Sequence, residues 1–212
     1  MPRVSISPIR VGQLNFLILD CPSDATLAAY LPVLEEHHVT DLVRICEGSP
    51  YDAKPLSDIG ICVHDNMKFT DGTAPGKEVI SNWLDLNDQV FFNSEDKDRC
   101  IAVHCVSGIG RAPVLVAISL VEGGMDPLDA IAYIRKARRG ALNRIQISFL
   151  DGYKKRKQGF GTKKVLSKSA NLSNGSSNSK PSSQASSASP ASSGPGIEKK
   201  KTGFISKMFG KK

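Results

Sequence analysis

The chain has 212 residues, of which 40% are hydrophobic, and its formal net charge at pH 7 is +7. That length accommodates one domain with a tail, and no apolar stretch approaches the roughly 20 residues that a membrane span requires. The positive charge is confined to residues 162–212, which contain ten Lys and one Glu, whereas residues 1–161 carry a net charge of −2. A nucleic-acid-binding core is therefore excluded, because the part of the chain expected to fold lacks a basic surface.

Two further features of the composition indicate a cytoplasmic protein. The N-terminus, Met-Pro-Arg-Val-Ser-Ile-Ser, lacks the long apolar core of a secretory signal. The five cysteines are irregularly spaced, at positions 21, 46, 62, 100 and 105. An odd number and irregular spacing argue against both a disulfide framework and a zinc site, so no metal is expected.

Strand and helix patterns alternate along most of the chain. Apolar runs predict strands at residues 13–19, 40–46, 60–64 and 99–104. Helical periodicity and capping residues predict helices at residues 25–37, 76–91, 114–122, 126–138 and 142–155. Pro32 lies inside the first of these, which predicts either a kink or a helix that begins near Leu31. The alternation is typical of an α/β domain with a central, mostly parallel sheet flanked by helices, and we assign this domain to residues 1–160.

The composition changes after this domain. Residues 161–196 are rich in Ser, Asn, Gly, Pro and Lys, and we expect a flexible, disordered linker because few large apolar groups are available for burial. Residues 197–212 regain apolar groups, and on a helix four of them between Phe204 and Phe209 would share one face among lysines. This pattern favours a segment that lies on an anionic membrane surface, with a soluble basic tail as the alternative because two glycines weaken the helix.

Residues 101–113, Ile-Ala-Val-His-Cys-Val-Ser-Gly-Ile-Gly-Arg-Ala-Pro, place Cys105 where a buried strand becomes a helix. Successive backbone N–H groups in such a loop converge on an anion, and the helix adds its positive N-terminal end. Arg111 can clamp two phosphate oxygens, and the same fields stabilise a thiolate nucleophile. A free cysteine is more often a core residue, but His, Cys, two Gly and Arg at this spacing favour cleavage of a phosphate ester. The predicted phosphate-binding residues are Val106, Ser107, Gly108, Ile109, Gly110 and Arg111.

The segment His104-Cys105-x5-Arg111 resembles the signature of the protein tyrosine phosphatase superfamily. The longer string His-Cys-Val-Ser-Gly-Ile-Gly-Arg-Ala-Pro-Val-Leu-Val-Ala is similar to the phosphatase of regenerating liver family, also called type IVA. The resemblance covers about residues 8–157 and implies a tyrosine-phosphatase-like fold, a phosphocysteine intermediate on Cys105, and no cofactor. Most relatives are expected to carry Ser or Thr after the Arg, where a hydroxyl helps the thiolate leave. Ala112 at that position therefore implies slow turnover.

A general acid must protonate the leaving oxygen during phosphoryl transfer. In the resembled family an Asp supplies the proton from a loop with a pattern like Asp-Trp-Pro-Phe-Asp-Asp-Gly-Ala-Pro-Pro. Residues 65–75, Asp-Asn-Met-Lys-Phe-Thr-Asp-Gly-Thr-Ala-Pro, match the end of this pattern, so the resemblance points to Asp71. The Trp and Pro of the family pattern are absent from residues 65–75, and the loop is longer. These departures affect the expected closure of the loop over the site more than the identity of the acid. Asp65 is the fallback acid, and a simple turn residue is the alternative for Asp71.

Other residues gain a role from the same resemblance. Cys46 lies in Leu-Val-Arg-Ile-Cys-Glu, similar to the family's Val-Arg-Val-Cys-Glu, which implies a reversible disulfide with the nucleophile; from the residues alone, a core cysteine is favoured. Arg138 and Arg139, in Arg-Arg-Gly-Ala-Leu-Asn, resemble the family's Arg-Arg-Gly-Ala-Phe-Asn and imply a basic rim facing a protein partner. A solvated helix end is the alternative for these two arginines. Gln146 is a weaker candidate for orienting the hydrolytic water.

The resulting prediction is a protein tyrosine or dual-specificity phosphatase that acts on a phosphotyrosine-containing protein. The alternative is a binding module that grips an acidic loop of a magnesium transporter with paired CBS domains, which the resemblance also implies. A phosphoinositide phosphatase is a third, weaker hypothesis, because the loop residues between Cys105 and Arg111 are neutral. The family's C-terminal prenylation box is missing, so we expect any peripheral attachment to the cytoplasmic face of a membrane to use residues 197–212.

Overall fold

The structure is a computed structural model that describes residues 4–161, and these residues build a five-stranded sheet with helices on both faces. The strands are β1 (Ile6–Val11), β2 (Leu14–Leu19), β3 (Val39–Arg44), β4 (Cys62–His64) and β5 (Cys100–His104). Their order across the sheet is β1-β2-β5-β3-β4. The pairing of β1 with β2 is antiparallel, and the other three pairings are parallel. The α/β prediction with a mostly parallel sheet is confirmed.

Six α-helices connect and follow the strands. They are α1 (Leu27–Glu36), α2 (Lys54–Asp58), α3 (Lys77–Asn87), α4 (Arg111–Glu122), α5 (Pro127–Ala137) and α6 (Arg144–Asp151), and α3 continues into a π-helical turn at Asp88–Phe92. Asp126 caps α5 through a hydrogen bond from the Leu128 N–H, as its position before Pro127 predicts. Asn143 and Gln146 form a reciprocal capping box at the start of α6.

The sheet is covered on both faces, which explains why its strands are nearly continuous apolar runs. Alternate side chains of β2 point to opposite sides, so that Phe16 and Ile18 join one core cluster while Leu17 and Leu19 join the other. The first cluster packs against α3 to α6, and the second packs against α1 and α2. All twelve residues of α4 are buried, as expected of a helix that is apolar on every side. The helix that follows Cys105 is thus held in the centre of the domain.

Three sequence predictions differ from the structure. Strand β1 was not predicted, because Pro8 and Arg10 interrupt its apolar pattern; both are tolerated because β1 lies at the edge of the sheet. Helix α2 follows a predicted loop and was also missed, since it is only five residues long. Of the two alternatives for Pro32, the helix that begins near Leu31 is wrong, because α1 begins at Leu27 and Pro32 lies in its interior.

Among residues 4–161, no helix combines the length and the apolar character needed to cross a bilayer. Apart from Gly161, the predicted linker at residues 161–196 and the predicted membrane-binding segment at residues 197–212 lie outside the described part of the chain.

Candidate active site

The loop that begins with Cys105 lies at the carboxyl end of β5, in the middle of the sheet, where parallel α/β folds place their ligands. Backbone hydrogen bonds tie it to separate parts of the domain. The Val106 carbonyl accepts from the Cys21 N–H at 2.9 Å, and the Ile109 carbonyl accepts from the Leu142 N–H at 2.8 Å. These bonds hold the loop at two points. Cys105 itself is only 2% exposed.

Gly108 and Arg138 complete the support of this loop. Gly108 adopts a φ of +66°, and a Cβ there would collide with the carbonyl oxygen of Leu19, so only glycine fits. Arg138 is 7% exposed, and its Nη2 donates to the Ser107 carbonyl at 2.9 Å. Arg138 therefore holds the phosphate loop from behind, whereas Arg139 is exposed beside it.

His104 orients the loop from inside the domain. Its Nδ1 lies 3.0 Å from the Cys105 carbonyl oxygen, which can only accept, so Nδ1 carries the proton. Nε2 is then the acceptor for the Tyr51 hydroxyl at 2.7 Å. Complete burial lowers the pKa of His104 to about 4, so the imidazole is neutral at physiological pH. The two hydrogen bonds give His104 an orienting role in the loop.

Arg111 and Asp71 meet at the start of α4. The Arg111 side chain is 5% exposed, and its Nη1 donates to the backbone carbonyls of Ile45 at 3.4 Å and Phe69 at 3.3 Å. Its Nε lies 3.1 Å from Asp71 Oδ1, but without the alignment of a hydrogen bond. The Asp71 side chain is 73% exposed. The predicted clamp is thus anchored by the protein, and the predicted acid lies beside it facing solvent.

The loop that carries Asp71 rests on the N-terminus of α6. Asn143 Nδ2 donates to the Gly72 carbonyl at 2.9 Å, and Gln146 Nε2 donates to the Thr73 carbonyl at 3.2 Å. A Cβ on Gly110 would lie 3.6 Å from Gln146 and 3.8 Å from Asp71, which shows that both predicted residues face the phosphate loop. The two side chains of the capping box therefore position the acid loop, a function that the sequence did not reveal for Asn143.

Asp65, the fallback acid, is engaged elsewhere. Its carboxylate accepts from Arg44 Nε at 2.8 Å and from Arg44 Nη2 at 2.6 Å. These charge-assisted bonds lower the pKa of Asp65, so the group is a poor proton donor. Arg44 also donates to the Tyr51 carbonyl at 2.9 Å, and Tyr51 in turn contacts His104. The fallback assignment is therefore wrong, and Asp65 belongs to the support of His104.

The cysteines form a cluster that the sequence revealed only in part. Cys46 is 3% exposed, and its Sγ lies 4.0 Å from the Sγ of Cys21. Burial, reinforced by the neighbouring Cys46 and Cys105, raises the pKa of the Cys21 thiol to about 12. Cys21 was missed because it lies 25 residues from Cys46 in the sequence. The two residues follow β2 and β3, which lie on either side of β5 in the sheet. Cys62 is exposed, whereas Cys100 is buried.

No protein-family model matches the chain, but similar proteins agree on one family. The probable protein tyrosine phosphatase type IVA A of Dictyostelium discoideum is 47% identical over 144 residues, which cover 68% of this chain and 84% of the relative. Protein tyrosine phosphatase type IVA 3 of Mus musculus is 45% identical over 150 residues, which cover 70% of this chain and 84% of the relative.

Solved structures agree with these relatives. A putative protein tyrosine phosphatase from Leishmania major superimposes with a TM-score of 0.64 at 39% identity, covering 71% of this chain and 99% of its own. Tk-PTP in its active form has a TM-score of 0.53 at 22% identity, covers 66% of this chain and 90% of its own, and supports the fold alone. The predicted resemblance is confirmed: the chain belongs to the protein tyrosine phosphatase type IVA family and is a cysteine-based phosphatase.

Proposed function

We propose that the enzyme hydrolyses phosphotyrosine esters in two steps that use Cys105, Arg111 and Asp71. The Cys105 thiolate attacks phosphorus and displaces the phenolic oxygen, which takes its proton from Asp71. Arg111 and the backbone N–H groups of the loop bind the phosphoryl oxygens as their charge develops. Water then attacks the phosphocysteine, with Gln146 orienting it and the Asp71 carboxylate accepting its proton.

The observation that carries this proposal is the position of Asp71 beside Arg111. The acid loop reaches over the start of α4, and its carboxylate oxygen lies 3.1 Å from the Arg111 Nε. A phosphoryl group bound by Arg111 would therefore have its leaving oxygen next to the Asp71 carboxyl group. Asp65, by contrast, is held by two charge-assisted hydrogen bonds from Arg44, which lower its pKa and keep its carboxylate away from Arg111.

Slow turnover follows from Ala112. This residue is fully buried in the first turn of α4, directly after Arg111. Alanine offers no hydroxyl to stabilise the thiolate that leaves when the phosphocysteine is hydrolysed. The second step therefore limits the overall rate.

Cys46 is the proposed redox partner of Cys105. Both cysteines are buried, and Cys21, which lies 4.0 Å from Cys46, also interacts electrostatically with Cys105. Burial raises the pKa of the Cys21 thiol, which disfavours the thiolate that disulfide exchange requires. Peptide mapping after mild peroxide should therefore find the Cys46–Cys105 disulfide; a Cys21–Cys46 disulfide without it would contradict this pairing.

A phosphoprotein substrate is consistent with the family, and its recognition is proposed to involve the rim of the loop. Val106 and Ile109 are 62% and 43% exposed, and Arg139 is exposed nearby. Apolar contacts from the two loop residues and one cation suit a peptide chain that flanks the phosphotyrosine. Of the two arginines predicted for the rim, Arg139 keeps this proposed role, because the Arg138 guanidinium binds the carbonyl of Ser107 in the phosphate loop.

Two other partners were predicted, a magnesium transporter and an anionic membrane, and neither is supported by the relatives or by residues 4–161. The names of the relatives support a phosphatase and give no support to a module that grips a CBS-domain magnesium transporter. Attachment to an anionic membrane stays a prediction, since residues 197–212 lie outside the described part of the chain. Liposome sedimentation of the full chain and of a truncation at Gly196 would test it.

The test of the catalytic proposal is to trap the intermediate. Wild-type enzyme is mixed with a phosphotyrosine peptide, quenched in acid within one turnover, and analysed by mass spectrometry. We expect one phosphate on Cys105, no phosphate in Cys105→Ser, and normal trapping in the matched control Cys100→Ser. Phosphate on another residue, or product release without a phosphoenzyme, would overturn the mechanism.

A further inference from the structure

Three potential metal ligands lie together on strands β3 and β4, apart from the phosphate loop. Asp41, Cys62 and His64 each offer one ligand atom, and these three atoms lie within 4.8 Å of one another. None of the three has a role in the proposed mechanism. The irregular spacing of the cysteines argued against a zinc site, and this group was not foreseen because its members come from two segments that are about 20 residues apart.

The register of the sheet brings these residues to one face. Asp41 lies opposite Cys62, and Val43 lies opposite His64, in the parallel pairing of β3 with β4. Side chains two residues apart along a strand point to the same side, so Cys62 and His64 both face the side of Asp41. Since β4 is the edge of the sheet, this face is accessible at its margin: Cys62 is exposed, and the His64 side chain is 22% exposed.

Two hydrogen bonds hold the Asp41 carboxylate in a fixed orientation. Its Oδ1 accepts a hydrogen bond from His64 Nε2 at 2.8 Å, and its Oδ2 accepts from Thr40 Oγ1 at 2.8 Å. The Asp41 side chain is only 9% exposed, so a carboxylate is buried within β3. A carboxylate held by a second hydrogen bond is what metal sites commonly use to fix a ligand.

We propose that Asp41, Cys62 and His64 bind one zinc ion in a tetrahedral site whose fourth ligand is water. Binding replaces the proton on His64 Nε2 and the proton on the Cys62 thiol, and both protons are released to solvent. Ligands about 2.0 Å from zinc at tetrahedral angles lie about 3.3 Å apart, so the 2.8 Å hydrogen bond between His64 and Asp41 opens by about half an ångström. That movement is small for side chains at the margin of a sheet.

The donor set selects the class of metal. Thiolate and imidazole are borderline-soft ligands that favour zinc and its neighbours in the first transition row. Magnesium and calcium prefer oxygen ligands and would leave the Cys62 sulfur unused. A bound ion would cross-link the three-residue strand β4 to β3 immediately before Asp65, where the acid loop begins. The site is independent of the proposed catalytic mechanism.

A second group of potential ligands competes with this one. Cys21, Cys46 and His104 also lie within 4.8 Å of one another, beside the phosphate loop. Both ring nitrogens of His104 are occupied, by the Tyr51 hydroxyl and by the Cys105 carbonyl, and His104 is fully buried. A metal there would have to break the hydrogen bond that orients the catalytic loop. The group around Cys62 is therefore the better site.

Cobalt titration of the full chain tests this inference. Protein freed of metal by chelator and kept in a thiol-free reductant is titrated with Co²⁺, whose thiolate charge-transfer absorbance reports a sulfur ligand, and then with Zn²⁺ in competition. We expect saturation at one equivalent, displacement by Zn²⁺, and loss of the band in Cys62→Ser. Cys21→Ser is the matched control and keeps the band. Thr40→Val should weaken the apparent Zn²⁺ affinity by about tenfold, because it removes the bond that orients Asp41.

The pattern across these variants decides the result. Cys62 is exposed, so its replacement by serine leaves the core intact, and circular dichroism of each variant checks the fold. A band that is lost in Cys21→Ser but kept in Cys62→Ser would place the metal at the competing group and overturn the proposal. Absence of a band in the wild-type chain, or its loss in both variants, would contradict the proposal equally.

Discussion

The phosphate loop and the acid loop face each other across the active site, and they are built differently. The phosphate loop is fixed by backbone hydrogen bonds to Cys21 and Leu142, and its nucleophile is 2% exposed. The acid loop is held mainly by side chains of Asn143 and Gln146, and its Asp71 is 73% exposed. Binding of phosphate is thus preorganised, while delivery of the proton depends on a loop that small changes can move.

This difference predicts which substitutions affect chemistry and which affect stability. Changes to reactive groups should alter rates with the fold intact. Changes to the supports of the phosphate loop should alter stability as well, because those supports are part of the core. The following predictions separate the two kinds of effect, starting with the largest.

Cys105→Ser removes the nucleophile from the rigid loop, and we expect hydrolysis of a phosphotyrosine peptide to fall by about four orders of magnitude or more. The serine hydroxyl is not ionised at neutral pH and cannot replace a thiolate. Steady-state assays measure the rate, and urea unfolding checks that stability is unchanged. Residual activity above a few per cent would show that another group carries the reaction.

Asp71→Asn removes the proton donor from the acid loop. We expect kcat to fall by about 10²–10⁴ for substrates with poor leaving groups, and much less for an activated aryl phosphate that needs no proton. The matched control is Asp65→Asn, which breaks the pair with Arg44 and should lower stability without changing the dependence on the leaving group. Equal losses for good and poor leaving groups in Asp71→Asn would argue against the role of acid.

Gly108→Ala tests the rigidity of the phosphate loop. The added Cβ collides with the Leu19 carbonyl and the Arg138 side chain at a φ of +66°, so we expect a loss of about 3 kcal/mol in the free energy of unfolding. Gly12→Ala is the control, because Gly12 has a φ of +58° and open space around its Cβ position. Urea unfolding of both variants separates backbone strain from collision; equal losses would mean that the loop is not tightly packed.

The buried, neutral His104 predicts that acid destabilises the fold. The unfolded residue binds a proton below about pH 6.5, whereas the folded residue does so only below about 4. Between these values the unfolded state binds more protons, so stability falls as the pH falls through this window, by about 3 kcal/mol in total. Unfolding of wild type and His104→Gln at about pH 7 and pH 4.5 measures the difference. An equal pH dependence in both proteins would contradict the assignment.

Ala112→Ser should speed the second chemical step. A hydroxyl that donates to the leaving thiolate contributes about 1.4 kcal/mol, which corresponds to about a tenfold faster hydrolysis of the phosphocysteine. Ala117→Ser places a hydroxyl in the same buried helix away from the site and serves as the control. Rapid-quench decay of the phosphoenzyme measures the step, and equal decay in the wild type and Ala112→Ser would show that Ala112 does not limit turnover.

The phosphate loop is local in sequence, whereas its supports are not, and this explains which parts of the site could be predicted from the sequence. Cys105 and Arg111 lie six residues apart, so a single loop presents the pattern of a phosphate site, and the sheet around it follows from apolar runs. The supports were not predictable, because they join distant residues: Tyr51 to His104, Arg44 to Asp65, and Arg138 to Ser107. Strand β1 was missed for a different reason, since its pairing with β2 compensates for a weak local pattern.

The most direct test of the account is a rapid-quench comparison of wild type and Asp71→Asn on two substrates. For an activated aryl phosphate, both proteins should release a burst of phenol equal to the enzyme concentration, followed by slow turnover. For a phosphotyrosine peptide, the burst should slow by at least about 10² in Asp71→Asn alone. A wild-type reaction without a burst, or a burst that Asp71→Asn leaves unchanged on the peptide, would contradict the proposed division between a rigid nucleophilic loop and a separate acid loop.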